Sequence, residues 1–443
     1  MEIKNLESEI ELIAGKFVEA SSDKEIVIIS HFDTDGITSA TILIQTLKKM
    51  DKRFSVKIVK RLEEETIFQL PNDKVIIFLD LASGSMNHLA KTSLKNVFII
   101  DHHEIFQEIP KEVNIINPQL NGKEEISSSS LVYLFCKHLA EENKELAKLA
   151  ILGMIGDSME KSIDKLNNLI INDGEVKRKR GLLIYPSTRP LNRTLEYCSE
   201  PYIPGITGNS AGVTELLREV GLSSASGKYK SLIELDENEM SKLVTAIMLK
   251  NPRVRNKEII GDIFLIKLFN KLEDARELSA MINACSKSGE SETAIQFCME
   301  SAKAKKRAEL MHTKHKQFII SGLKFASEAE KIEGNGFVII NAKDKIKDTI
   351  IGTIASILSS SSIYEEGTII ITLAYYDDKI KVSARSAGKC ARNLREILTE
   401  VVSLVGGEVG GHEFAAGCMI KQEKEKEFLD LLKKRLEIEL VKI

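Results

Sequence analysis

The chain has 443 residues, about three times the usual domain length of ~150, which predicts two or three packed units rather than one core. Its 43% hydrophobic and 29% charged residues exclude a collagen-like, low-complexity or disordered protein, and the absence of any apolar run near the ~18 residues of a membrane span, with an acidic start, predicts a cytoplasmic protein without a membrane partner. With 62 basic against 65 acidic residues and a net charge of -3, a surface basic all over is excluded, so any polyanion must be bound regionally.

In chain order, EIVIISH (25–31), KVIIFLDL (74–81) and NVFIID (96–101) are nearly all apolar, as strands buried on both faces are, while ITSATILIQTLKKM (37–50) has helical spacing. This predicts a parallel α/β sheet, in which function collects at the carboxyl edge where strands turn into helices. The polar clusters HFDTDG, LDLASGS and DHHE all fall at such ends. From about 172 to 260 the chain is punctuated by Gly, Pro and Arg and holds five of the eight prolines, which reads as a connector with small helices such as SAGVTELLREVG at 210–221. A long helical stretch from about 290 to 333 reads as a spacer helix. Beyond it GFVIINA (336–342), a helix near 345–361, GTIIITLAYY (367–376) and KIKVSAR (379–385) form a second αβ unit closed by a helix over EKEKEFLDLLKKRLE. The expected domains are 1–195, 196–300 and 301–443. The six cysteines are scattered without a CxxC pair, so they read as buried or idle thiols.

Within HFDTDG, His31, Asp33 and Asp35 gather three metal-type ligands at one strand end. Two carboxylates ~4 Å apart repel by about 4 kcal/mol at an effective dielectric near 20, so a dry cluster needs a cation or a shared proton. The plainer alternative is an Asp capping the next helix. A calcium loop fits poorly, because Gly36 leads straight into an apolar helix, whereas an aspartyl-phosphate hydrolase with Asp33 as nucleophile has to be weighed against the remaining residues. Those are Asp80 after KVIIFL, Asp101, His102 and His103 after NVFII, and Asp157 after the apolar run LGMIG. Near the C-terminus, GGHEFAAG (410–417) reads as a glycine turn into a helix start, where the amides of Gly410 and Gly411 and the helix N-terminus suit a phosphate. The basic runs VKRKR (176–180) and KAKKR (303–307) either track a nucleic-acid strand or form a solvated face. With no Trp and 5% aromatics, binding is expected to be mainly to the backbone and salt-sensitive. Ser127 to Ser130 reads as a helix N-cap.

HFDTDG, Asp80, DHHE and Asp157, in this order and spacing, resemble the four motifs of the DHH phosphoesterase superfamily. VSARS and GGHEFAAG resemble its DHHA1 domain, with Val409 where a third glycine is common. IPGITGNSAG, LEDARELSAMINACSKSG and NLREIL are similar to archaeal RecJ-like single-strand exonucleases, also called GINS-associated nucleases. The resemblance implies a parallel-sheet DHH domain, a helical connector and a smaller α/β DHHA1 domain with a cleft between lobes. It implies a two-cation site, usually Mn²⁺ with Mg²⁺ as the alternative. One ion would be held by His31, Asp33 and Asp80 and the other by Asp35, Asp80, His102 and Asp157, with Asp101 orienting His102 and His103 facing the scissile phosphate. Arg385, Ser383, Ser386 and His412, with Gly410 and Gly411, would grip substrate phosphates, so that His103, Asp101, Arg385 and His412 serve the reaction. The activity implied is hydrolysis of single-stranded DNA or RNA from an end, in replication or repair, with GINS and the replicative helicase as partners. The alternatives are a DHH enzyme acting on short oligonucleotides or cyclic dinucleotides, and a non-catalytic helicase scaffold.

Overall fold

Long apolar β-branched runs leave the three central strands of the N-terminal part almost no solvent face, and the computed structural model stacks them into one parallel sheet. It describes residues 6–122, 125–161, 163–224, 227–252, 259–388 and 392–438. Contacts divide the chain into two compact units, Met1–Arg180 with Asp262–His312, and Gly181–Gly261 with Thr313–Ile443.

In the first unit β1 (Ile26–His31), β2 (Phe54–Val59), β3 (Val75–Leu79), β4 (Val97–Ile100) and β5 (Val113–Ile116) pair in the order β2-β1-β3-β4-β5, all parallel. Sequence periodicity found the three central strands. The edge strands β2 and β5 escaped it because they are only partly apolar and, being half-exposed, lack the unbroken hydrophobic signal. The strand order reverses between β1 and β3, which opens a crevice at their carboxyl ends. At the end of β1 the chain enters the helix Thr34–Lys49, capped by Asp33, whose Oδ1 accepts the Gly36 amide at 3.0 Å. A Cβ on Gly36 would lie 2.3 Å from the His31 carbonyl oxygen, so only glycine lets this helix start so close to the strand.

The core of this unit gathers Phe17, Phe98 and Phe135, with ring centroids 5.3 Å and 5.4 Å from Phe17 in edge-to-face packing. Residues from the second segment, among them Phe264, Leu278, Ile282, Phe297 and Ala308, belong to the same core. A three-stranded sheet orders β6 (Lys177–Leu182), β7 (Ile260–Leu268) and β8 (Lys271–Asp274) as β6-β7-β8. The stretch expected to be one spacer helix is two helices, Ser291–Cys298 and Ala302–Glu328, because Glu300 takes a positive φ of 60° between them.

In the second unit, the segment read as a connector has an apolar core of its own, with Leu182, Leu191, Leu216, Leu217, Leu243 and Ile247 buried together. A six-stranded mixed sheet contains β9 (Ile332–Gly334), β10 (Phe337–Asn341), β11 (Ile369–Tyr376), β12 (Lys379–Ser386), β13 (Glu408–His412) and β14 (Ala415–Lys421) in the order β13-β14-β12-β11-β10-β9. Only β10 and β11 run parallel. The motif GGHEFAAG is therefore a β13–β14 hairpin and not the start of a helix: in AAGCMIK, Ala416, Cys418 and Ile420 alternate into the core against β12, the two-residue period of a strand.

Cys136, Cys198, Cys285, Cys298 and Cys418 are buried free thiols. Cys390 lies outside the described residues, as do 253–257 of KNPRVRNK. Among the described residues no helix is long and apolar enough to cross a membrane. Since Phe17 is fully buried between two aromatic partners, Phe17→Ala is expected to lower stability by about 3–5 kcal/mol in urea unfolding.

Candidate metal centre

At the carboxyl edge of the parallel sheet, six side chains converge from four places in the sequence. His31 ends β1 and Asp80 follows β3, strands paired across the switch point. His31 Nδ1 lies 2.9 Å from Asp33 Oδ2 and 3.3 Å from Asp80 Oδ2. His102 Nε2 lies 3.5 Å from Asp80 Oδ1 and 3.4 Å from Asp157 Oδ2. Ligand atoms of His31, Asp33 and Asp80 fall within 4.8 Å of one another, as do those of Asp35, His102 and Asp157, and those of Asp80, His102 and His103.

The electrostatics are unfavourable without a cation. Asp80 is 2% exposed, and among the described residues neither of its carboxylate oxygens has a hydrogen-bond donor; His31 Nδ1, though close to both carboxylates, makes no hydrogen bond with the described residues either. Burial, followed by the charges of Asp35, Asp33, Asp101 and Asp157, pushes the Asp80 carboxyl well above the usual range. Asp80 also holds a positive φ of 60°, a conformation that Asp tolerates better than most residues but that still costs energy. Asp157 caps the C-terminal end of the helix Ala147–Gly156, and burial with the charges of Asp35 and Asp33 pushes it up to about 9. Orphaned buried oxygens amid carboxylates and imidazoles fit divalent cations of the Mn²⁺ type, which accept mixed nitrogen and oxygen ligands.

Asp35 is fully buried, and its oxygens accept the backbone amides of Ser128 at 2.8 Å and Ser129 at 3.0 Å. These belong to the first turn of the helix Ser128–Leu139, whose N-cap is Ser127, with its hydroxyl accepting the Ser130 amide. The serine run is thus the expected cap, and its free amides also cradle a carboxylate from 93 residues away. Opposite, a Cβ on Gly153 would lie 2.4 Å from Asp35 Oδ1 and 2.1 Å from Ser129 Oγ.

Asp101 differs from the expectation that it steadies the His102 ring. Its Oδ1 lies 2.7 Å from His103 Nδ1 and accepts the His102 backbone amide at 2.8 Å, while Oδ2 accepts the Ser83 amide at 3.0 Å. The short loop after β4 brings the ring of His103, not His102, onto this carboxylate. Burial alone would raise Asp101, but the His103 and Ser83 hydrogen bonds hold it down to about 2. The Asp101 hydrogen bond in turn raises the His103 imidazole above its ordinary value. Asn117 completes the support that sequence reading missed: its Nδ2 donates to Ser83 Oγ at 3.1 Å and to the His103 carbonyl at 2.9 Å.

In the second unit Arg385 on β12 and His412 on β13 both pair with Ala415, and Ser383 and Gly410 both pair with Gly417. In-register positions share a sheet face, so these four lie on one face, whereas Ser386 and Gly411 alternate to the other. Arg385 Nε donates to Ser356 Oγ at 3.0 Å, and its Nη1 donates to the Ala384 carbonyl at 2.8 Å. His412 is exposed, its Nδ1 accepting the Phe414 amide at 3.3 Å. In KAKKR, Lys305 pairs with Glu273 at 3.5 Å and Arg307 with Glu290, so those two are tied to the protein, whereas Lys177 and Arg180 in β6 are exposed.

Two predictions follow from this geometry. Gly153→Ala is expected to drive Asp35 from its amide cradle and weaken Mn²⁺ binding in calorimetry, with the far-UV spectrum unchanged. In the metal-free protein Asp157 keeps its proton up to about pH 9, while the unfolded chain releases it near ~4. The unfolded state thus binds fewer protons across that window, and stability falls as pH rises. The melting temperature in EDTA is expected to drop from pH 5.5 to 8.5, less steeply in Asp157→Asn, and Mn²⁺ is expected to raise it more at the higher pH.

Residues 25–155 match the DHH family N-terminal domain, 184–257 the DHH-CID domain and 335–437 the DHHA1 domain. An uncharacterised protein of Methanocaldococcus jannaschii is 29% identical over 421 residues, 91% of either chain. Among solved structures, CDC45 from Entamoeba histolytica superposes with a TM-score of 0.69 at 13% identity, over 98% of this chain and 99% of that one. Exonuclease RecJ bound to manganese does so at 0.60 and 17% identity, over 98% and 94%. Those likenesses extend the fold over almost the whole chain, and the three domain matches fall in order along it: the chain carries a DHH, a DHH-CID and a DHHA1 domain.

Proposed function

We propose that this chain is a metal-dependent, single-strand-specific exonuclease that hydrolyses phosphodiester bonds of DNA or RNA. The observation that carries this reading is Asp80: two buried oxygens without a donor among the described residues, facing imidazoles and carboxylates on both sides. Such a group is tolerable in the ionised state only when cations share it. His31, Asp33 and Asp80 would hold one ion, and Asp35, Asp80, His102 and Asp157 the other, Mn²⁺ in preference to Mg²⁺. Two divalent cations held there would supply acidified water and neutralise charge on the phosphate. The aspartyl-phosphate alternative is disfavoured because Asp33 caps a helix and sits against His31, with no role left in that scheme for the DHH histidines.

The protein's own groups do the rest. His103, held by Asp101 through Nδ1 and favoured in the protonated form, is left with Nε2 to donate toward a phosphate oxygen or leaving group. Asp101 acts through it as a positioning residue. Arg385, Ser383, Gly410 and His412 share a sheet face suited to holding strand phosphates, where the planar guanidinium can bind in a fork. Ser386 and Gly411, on the other face, are weaker candidates for that contact.

The test is end-labelled single-stranded DNA and RNA incubated with the protein and Mn²⁺. Asp80→Asn and His102→Ala are each expected to reduce hydrolysis by more than the ~100-fold that loss of an outer-shell partner costs, as is EDTA, with folding retained. Arg385→Ala is expected to lower kcat/KM by roughly 10- to 100-fold, the value of a lost charge-assisted contact. Full activity in the Asp80 variant would refute the reading. Mn²⁺ binding without cleavage of either strand would point instead to a scaffold in a helicase assembly with GINS, a reading that the shared CDC45 fold supports.

A further inference from the structure

A cavity of about 340 Å³ shares His102 with the candidate metal centre, and its size falls within the range of ~300–1,000 Å³ usual for small-molecule sites. Its walls come from the loops at the carboxyl edge of the parallel sheet. Glu104 follows β4, Pro118 and Gln119 follow β5, Glu125 and Ile126 precede the helix Ser128–Leu139, and Met159 follows Asp157. The floor is preformed: Pro118 and Ile126 are buried, and the Gln119 amide donates to Asn117 Oδ1 at 3.0 Å, the same asparagine that braces Ser83 and the His103 carbonyl.

The lining is chemically selective. Pro118, Ile126 and Met159 offer apolar contact to a flat ring, while Glu104 and Glu125 offer carboxylate acceptors and Gln119 an amide. Among the described residues that line it there is no Lys or Arg, and its two carboxylates, Glu104 and Glu125, disfavour a phosphate. The complement is an uncharged heteroaromatic group with N–H donors on its edge, next to the position of the scissile phosphate.

We propose that this cavity receives the base of the terminal nucleotide and favours bases carrying exocyclic amino groups, adenine, cytosine or guanine, over thymine or uracil. The proposal rests on the nuclease reading for its substrate. Amino groups donate to the glutamate carboxylates, whereas thymine and uracil offer a single N–H, at N3, flanked by two carbonyl oxygens that the carboxylates repel.

The test uses the full-length protein with Mn²⁺ and oligonucleotides that differ only in the nucleotide at one end, dC or dA against dT, in sets for each end. The expected kcat/KM ratio at the attacked end is about 3- to 10-fold in favour of dC and dA, the worth of one hydrogen bond. In Glu104→Gln/Glu125→Gln the ratio falls toward one, with the Mn²⁺-induced thermal shift unchanged. A wild-type ratio of one, or a ratio that survives the double substitution, overturns the proposal while leaving the nuclease reading standing. If the wild type cleaves nothing, that reading fails first, and calorimetry with dCMP and dTMP decides the cavity separately. Tighter dCMP binding that is lost in the double variant supports it, and equal binding overturns it.

Discussion

The structure of the first unit turns on the mutual repulsion of carboxylates gathered where β1 and β3 end. Asp80, Asp35, Asp33 and Asp157 crowd one spot, and each is fixed by a different device. Asp33 is held by its own helix cap, Asp35 by two amides of another helix, Asp157 by the end of an apolar helix, and Asp80 by a left-handed backbone turn. Anchoring against such repulsion costs stability, which the surrounding core must offset. Fixed, unpaired oxygens are also what a cation site requires, because a ligand set that could relax apart would pay for its reassembly on every binding event.

The reversal of strand order between β1 and β3 makes this crowding possible. It places the His31 and Asp80 strand ends side by side, and the loop after β4 adds His102 and His103 from the next strand. Two glycines set the tolerances. Gly36 allows the helix to begin against the His31 carbonyl, and Gly153 leaves room for Asp35 beneath the serine turn. Neither touches a prospective ligand atom in a bonding sense; both decide whether the carboxylates can come together.

Much of this was legible in the sequence because strands buried on both faces give unbroken apolar runs, and the charged residues that interrupt them stand out at their ends. What was hidden depends on distance or on period. The Ser128 and Ser129 amides reach Asp35 across the sequence, and Asn117 and Ser83 steady the DHH loop from two other strand ends, contacts that no local pattern announces. The two glycines inside LGMIGD, Gly153 and Gly156, are the visible sign of close approach in that helix. The β13–β14 hairpin was read as a turn into a helix because its glycines masked the two-residue alternation of Ala416, Cys418 and Ile420. The packing of 262–312 into the first unit is a non-contiguous arrangement that linear reading cannot see.

The account stands or falls on whether this cluster holds a pair of ions. Anomalous diffraction at the manganese edge from crystals soaked in Mn²⁺ measures that directly. The account predicts two peaks with Asp80 between them, one against His31 and Asp33 and the other against Asp35, His102 and Asp157. A map with no peak at this strand edge, or with manganese bound elsewhere, would contradict it.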